Sequence, residues 1–164
     1  MRDIEAPMPQ IYLQPGEMFL AHEPTIIETI LGSCVGVTFW NQRTQVGALC
    51  HAMLPLCPVG QAKTIRLEDG RRYVDFCIHD LARQFEQQGI QQCEIEVKLF
   101  GGSDMLQVVE SSSRPSIGRQ NREIALDILE AEGYSVVASS LGEGFGRKIK
   151  FNTENGDVMV RRLT

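Results

Sequence analysis

The sequence predicts an α+β fold, with helices packed on a sheet that is itself backed by more β structure. Three observations carry this. Residues 11 to 54 are rich in β-branched residues, alternation and punctuating glycines. Two later segments have apolar residues at helical spacing. Near the end, Asn155-Gly156 stands between two alternating runs, a strong hairpin signal.

The elements follow in order. Residues 1 to 10 hold Arg2, Asp3, Glu5 and two prolines, and read as a flexible N-terminal arm. They lack the apolar stretch of a signal peptide. Residues 11 to 164 read as one domain. Leu56 to Arg72, with Pro58, Gly60 and Asp69-Gly70, reads as a loop. Tyr73 to Gln88 reads as a helix, because Val74, Cys77, Ile78, Leu81 and Phe85 share one face and Gly89 follows as a cap. In Cys93 to Phe100, Cys93, Ile95, Val97 and Leu99 alternate with Glu94, Glu96 and Lys98, as in a half-buried strand. Leu106 to Ser116, with Ser111-Ser112-Ser113 and Pro115, reads as a mobile loop. A second helix is expected from Gly118 to Glu132, buried through Ile124, Ile128 and Leu129. Strands are expected over Tyr134 to Ser140, Arg147 to Asn152 and Asp157 to Leu163.

Composition excludes several classes. The chain has 164 residues, 43% hydrophobic and 23% charged, enough for one packed core and unlike a disordered chain. A net charge of -5 and a pI of about 5.2 argue against a nucleic-acid binder that works through phosphate contacts. No run of 18 apolar residues is available to insert into a membrane. The five cysteines form no CxxC pair, so the expectation is free thiols and a cytoplasmic location.

One stretch carries chemistry. Leu31-Gly32-Ser33-Cys34-Val35-Gly36-Val37-Thr38-Phe39-Trp40 precedes a polar turn, Asn41 to Thr44, and Val46 to Pro55 follows it. With those four residues as the loop of a hairpin, Trp40 faces Gln45, Thr38 faces Gly47, Gly36 faces Leu49 and Cys34 faces His51. One face is then apolar, with Val35, Val37, Phe39, Val46, Ala48 and Cys50. The other holds Cys34 and His51, with Gly36 and Gly47 clearing space around them. Opposed Cβ atoms lie about 4.5–5.5 Å apart, close enough for a thiol and an imidazole to exchange a proton. Such a pair suits attack on a carbonyl through a thioester, and the N–H groups of Gly32, Ser33 and Cys34 are candidate oxyanion donors. The competing reading makes Cys34 a small buried hydrophobe, as most free cysteines are. The third member is open from spacing alone. In an unbroken strand Glu28 shares a face with Cys34, whereas a bulge at Gly32-Ser33 brings Thr29 round.

Five ordered motifs then resemble one family. They are Leu31-Gly32-Ser33-Cys34-Val35, His51-Ala52-Met53-Leu54-Pro55, Lys98-Leu99-Phe100-Gly101-Gly102, Ile117-Gly118-Arg119-Gln120-Asn121 and Gly146-Arg147-Lys148-Ile149-Lys150-Phe151. Together they resemble CheD, the chemoreceptor glutamine deamidases of bacterial chemotaxis. The resemblance implies a layered α/β/β sandwich similar to glutamine-deamidating toxins. It implies a protein-glutamine glutaminase with Cys34 as nucleophile, His51 as base and Thr29 completing the site, and with no metal or organic cofactor. The implied substrate is the cytoplasmic part of chemoreceptors, and the implied partner is a CheC-type phosphatase. A regulatory binding module and a receptor glutamyl methylesterase are the alternatives. Lys98 and Arg147 could line a substrate groove on the same ground. Asn121 and Arg122 read as a solvated first helical turn, and Gly142-x-Gly144-x-Gly146 as a tight turn rather than a phosphate loop.

Overall fold

A computed structural model describes residues 6–105 and 113–164. The expected Leu106 to Ser116 loop lies mostly outside them. Nine strands are described: β1 (Gln10–Tyr12), β2 (Met18–Ala21), β3 (Ile26–Leu31), β4 (Val35–Asn41), β5 (Gly47–Ala52), β6 (Ile95–Gly101), β7 (Val136–Leu141), β8 (Gly146–Asn152) and β9 (Val158–Leu163). Three α-helices accompany them: the single turn α1 (Leu67–Gly70), then α2 (Val74–Gln87) and α3 (Ile117–Ala131); a 3-10 turn over Gln92–Glu94 takes Cys93 out of the expected strand. The turn α1 falls inside the segment expected to be loop. Pro9 and Gln10, expected in the arm, are tied into β structure: Gln10 begins β1, and the Pro9 carbonyl accepts from the Ile26 N–H at 2.8 Å.

The strands form two sheets, ordered β2-β5-β4-β6-β7 and β1-β3-β8-β9. Most pairings are antiparallel; β1 with β3 and β6 with β7 are parallel. Helices α2 and α3 cover one face of the five-stranded sheet. There Val35, Val37, Phe39, Ala48 and Cys50 meet Val74, Cys77, Ile78, Leu81, Phe85 and Leu129. The other face packs on the four-stranded sheet through Leu49, Trp40 and Phe100 against Ile27, Leu31, Ile149 and Phe151. The order of layers is therefore helix, sheet, sheet, as the resemblance implies.

The expected hairpin at Asn155-Gly156 is present as β8–β9, and Gly156 has a φ of +82°. The Trp40 indole N–H donates to the Thr153 carbonyl at 2.7 Å, which anchors this hairpin to the other sheet.

The central hairpin forms, but its register differs from the expected one by two residues. Gly36 opposes His51, Val37 opposes Cys50 and Trp40 opposes Gly47. The reason lies in the turn. Asn41 remains paired, its N–H donating to the Val46 carbonyl at 2.9 Å. Its side-chain oxygen accepts from the Thr44 N–H and hydroxyl, and Gln45 takes a left-handed φ of +56°. An Asx side chain that closes its own turn moves the loop one residue along. A shift of two keeps every side chain on its expected face. Direct opposition of Cys34 and His51 is lost. The role expected of the glycines also changes. A Cβ on Gly47 would sit 2.8 Å from Thr153, and one on Gly36 would sit 3.1 Å from Leu31. These glycines make room for the second sheet, not for a substrate.

Candidate active site

Cys34 sits where the chain leaves one sheet for the other. β3 belongs to the four-stranded sheet and β4 to the five-stranded one, so Gly32-Ser33-Cys34 is the crossing. The crossing fixes which face of β3 points toward the other sheet. Ile27, Thr29 and Leu31 point inward and are fully buried. Glu28 points outward, where Lys148 and Lys150 pair with it. Thr29, not Glu28, therefore shares the layer between the sheets with His51.

Thr29 and His51 are brought together. The Thr29 hydroxyl lies 2.7 Å from His51 Nδ1 and donates to the Leu13 carbonyl at 2.9 Å. A hydroxyl has one proton. Since that proton goes to Leu13, the oxygen accepts at Nδ1, so Nδ1 holds the ring proton and Nε2 is left with the free lone pair. His51 is only 2% exposed. Burial, partly offset by the charge of Glu17, lowers its pKa from the ordinary 6.5 to about 4, so the ring is neutral near pH 7.

Cys34 is partly exposed and packs against the layer between the sheets. Burial raises its thiol pKa, while its own backbone N–H acts in the opposite sense. No hydrogen bond joins Cys34 to His51 in this structure. Gly36 stands opposite His51, and Cys34 lies two residues before Gly36, in the crossing just ahead of β4.

The crossing is held from inside by all three of its carbonyls. The Gly32 carbonyl accepts from the Ser103 N–H at 2.9 Å, and the Cys34 carbonyl from the Gly102 N–H at 2.8 Å. The Ser33 carbonyl accepts from Asn121 Nδ2 at 2.9 Å. Gly101 permits this approach: it has a φ of +94°, and a Cβ there would lie 2.2 Å from the Cys34 oxygen.

A sequence model of the CheD family, described as "CheD chemotactic sensory transduction", matches residues 53–162, more than half of the chain. A Geobacter sulfurreducens protein named "Probable chemoreceptor glutamine deamidase CheD 2" is 42% identical over 156 residues, 95% of this chain and 91% of the relative. A Maridesulfovibrio salexigens protein, "Probable chemoreceptor glutamine deamidase CheD", is 38% identical over 160 residues, 94% of this chain and 92% of the relative. The chain belongs to the CheD family. Its α+β architecture of two main helices and two sheets is that of a CheD protein.

Several CheD motif residues take places that their spacing did not reveal. Arg147, suggested as a groove residue, is 1% exposed, and its guanidinium binds Ser140 Oγ, Ser103 Oγ and the Gly142 carbonyl. Lys98 is occupied by the Gly156 carbonyl and Glu96. Asn121 is fully buried rather than solvated, and Arg122 is tied to the Gly102 carbonyl and Asp104. One signal for Asn121 was available. Gly118, Asn121, Ala125 and Leu129 lie at helical spacing on the face that α3 buries. Among the described residues, no group of three or more His, Cys, Asp or Glu side chains is arranged to hold a metal.

Proposed function

We propose that this CheD protein hydrolyses glutamine side-chain amides of chemoreceptors to glutamates, with Cys34 as nucleophile and His51 as base. The supporting observation is the buried Thr29–His51 hydrogen bond, which leaves a neutral ring with Nε2 free in the layer against which Cys34 packs. Thiol and imidazole are both neutral at rest, so the proton moves as the sulfur attacks rather than beforehand. Cys34 Sγ bonds to the amide carbon and His51 Nε2 takes the thiol proton. N–H groups of the Gly32–Cys34 crossing receive the oxyanion. The tetrahedral intermediate collapses, the C–N bond breaks, and His51 returns its proton to the leaving nitrogen as ammonia. Water, deprotonated by His51, then cleaves the thioester to glutamate and the free thiol.

The substrate class comes from the names of the relatives, which are called chemoreceptor glutamine deamidases. Receptor cytoplasmic helices as the target, a cytoplasmic location and a CheC-type phosphatase as partner belong to the same proposal. No described helix is long and apolar enough to cross a membrane.

The test is the mass of a receptor cytoplasmic fragment before and after incubation. A gain of about one dalton per converted glutamine is expected, with ammonia released, because acyl transfer to water exchanges NH for O. Cys34→Ala should abolish the gain. A Cys34→Ala chain that still deamidates would overturn the mechanism.

A further inference from the structure

Asn121 is fully buried on α3, and its amide nitrogen spends both hydrogens on the two chain segments that carry the reaction. One goes to the Ser33 carbonyl at 2.9 Å, the other to the Met53 carbonyl at 3.0 Å. Ser33 precedes the proposed nucleophile, and Met53 lies two residues past the proposed base. A trans peptide is planar, so the carbonyl of Ser33 and the N–H of Cys34 point in opposite directions. Whatever fixes that carbonyl inward aims the Cys34 N–H outward, on the side of the thiol.

We propose that Asn121 is a positioning residue for the deamidation, locking the Ser33–Cys34 peptide so that the Cys34 N–H meets the oxyanion. This rests on the reading of Cys34 as the nucleophile. Of the three interior donors to the crossing, those of Gly102 and Ser103 are main-chain groups, which side-chain substitution leaves in place. Asn121 is the side-chain donor, and it controls the peptide whose N–H belongs to the nucleophile. Its bond to Met53 also ties that peptide to the strand of His51. The other end of the amide argues against simple packing. Asn121 Oδ1 is buried and has no hydrogen-bond partner among the described residues. An unpaired buried acceptor is costly, and what holds an amide here against that cost is the pair of bonds its nitrogen makes to the Ser33 and Met53 carbonyls. A flipped amide is excluded, because it would set oxygen against two carbonyls.

The experiment uses Asn121→Leu, which keeps the branching at Cγ and removes the donor, and Asn121→Ser, which keeps one donor. Two rates are read: deamidation of a receptor cytoplasmic fragment, and alkylation of Cys34 by iodoacetamide, followed by the mass of its peptide. Alkylation passes through no oxyanion. Loss of an oxyanion donor lowers kcat by about 10²-fold. The expected result for Asn121→Leu is that fall in kcat, with KM and the alkylation rate within about threefold of the parent, and a smaller fall for Asn121→Ser. A kcat loss under about tenfold overturns the proposal. So does a parallel fall in alkylation, which would mean that the thiol itself has moved. If neither variant folds, the role is structural and the proposal is likewise overturned. Cys34→Ala is run alongside: if it still deamidates, the nucleophile reading fails, whatever Asn121 does.

Discussion

Replacing Thr29 with Val keeps the shape of a fully buried side chain and removes one hydroxyl. That hydroxyl serves two buried groups, the His51 Nδ1–H and the Leu13 carbonyl. Leaving one buried polar group unpaired costs about 1–3 kcal/mol. Two such groups set the expected loss at about 2–4 kcal/mol, taking the lower half of the doubled range because the ring can tilt toward another acceptor. Activity should fall by about 10²-fold, the low end of what a positioned general base contributes, since an imidazole freed at Nδ1 no longer holds Nε2 as acceptor. Thr29→Ser is the control. It loses a buried methyl, about 1 kcal/mol, and keeps the hydroxyl, so its activity should stay within about threefold. The assay pairs urea unfolding with ammonia release from a receptor fragment. Both are repeated in a His51→Ala background, where the Nδ1 contribution has already gone. There Thr29→Val should cost less stability and no further activity. The reasoning is refuted if Thr29→Val keeps full rate, if Thr29→Ser is as damaged as Thr29→Val, or if the penalty is unchanged without the histidine.

Three further outcomes are expected. His51 has a folded pKa of about 4, below its ordinary 6.5, so folding excludes a proton. Its stability contribution is complete above about pH 6.5 and is lost as pH falls through 4, a swing of roughly 3 kcal/mol. Urea unfolding between pH 7 and 4 should show that swing in the parent and a flatter profile in His51→Gln. Gly101→Ala places a Cβ against the Cys34 oxygen in a left-handed backbone. It should cost about 1–3 kcal/mol and displace the crossing, so a thermal melt matching the parent, with unchanged ammonia release, would contradict the account. Arg147→Met strands the polar groups that the guanidinium holds. A loss of about 3 kcal/mol or more in chemical denaturation is expected, and Arg147→Lys should recover little, because an ammonium cannot reproduce the planar fork.

Much of the architecture was legible because it rests on periodicity. The buried face of α2 is the one that Val74, Cys77, Ile78, Leu81 and Phe85 mark in the sequence. The β8–β9 hairpin follows from Asn155-Gly156. The inward and outward faces of β4 and β5 follow from alternation, which is unchanged by a two-residue slip. The slip itself was not legible, because alternation has a period of two. It turned on whether Asn41 ended a strand or began a loop, which its side-chain bonds to Thr44 decide. Spacing alone left Thr29 and Glu28 open, and only the family resemblance pointed to Thr29. To decide it from the residues themselves required knowing that the chain changes sheets at Gly32–Cys34, a property of topology rather than of local pattern. Asn121 and Arg147 were misjudged for a related reason: polar residues at helix starts and on strands usually meet water, whereas Asn121 meets two carbonyls from distant segments and Arg147 meets the distant Ser103 hydroxyl and the nearby Gly142 carbonyl.

The proposed site has one member from each storey of the sandwich. Thr29 comes from the outer sheet, His51 from the inner sheet, Asn121 from the helical layer, and Cys34 from the step between the sheets. On that proposal, no storey alone holds a competent thiol. A chain still on its way to the native state, or one whose outer sheet has peeled away, has a cysteine but no oriented imidazole beside it. Hydrolytic activity during refolding should therefore appear only with the last docking event, later than the bulk of the secondary structure. Its recovery can serve as a stopwatch for that event.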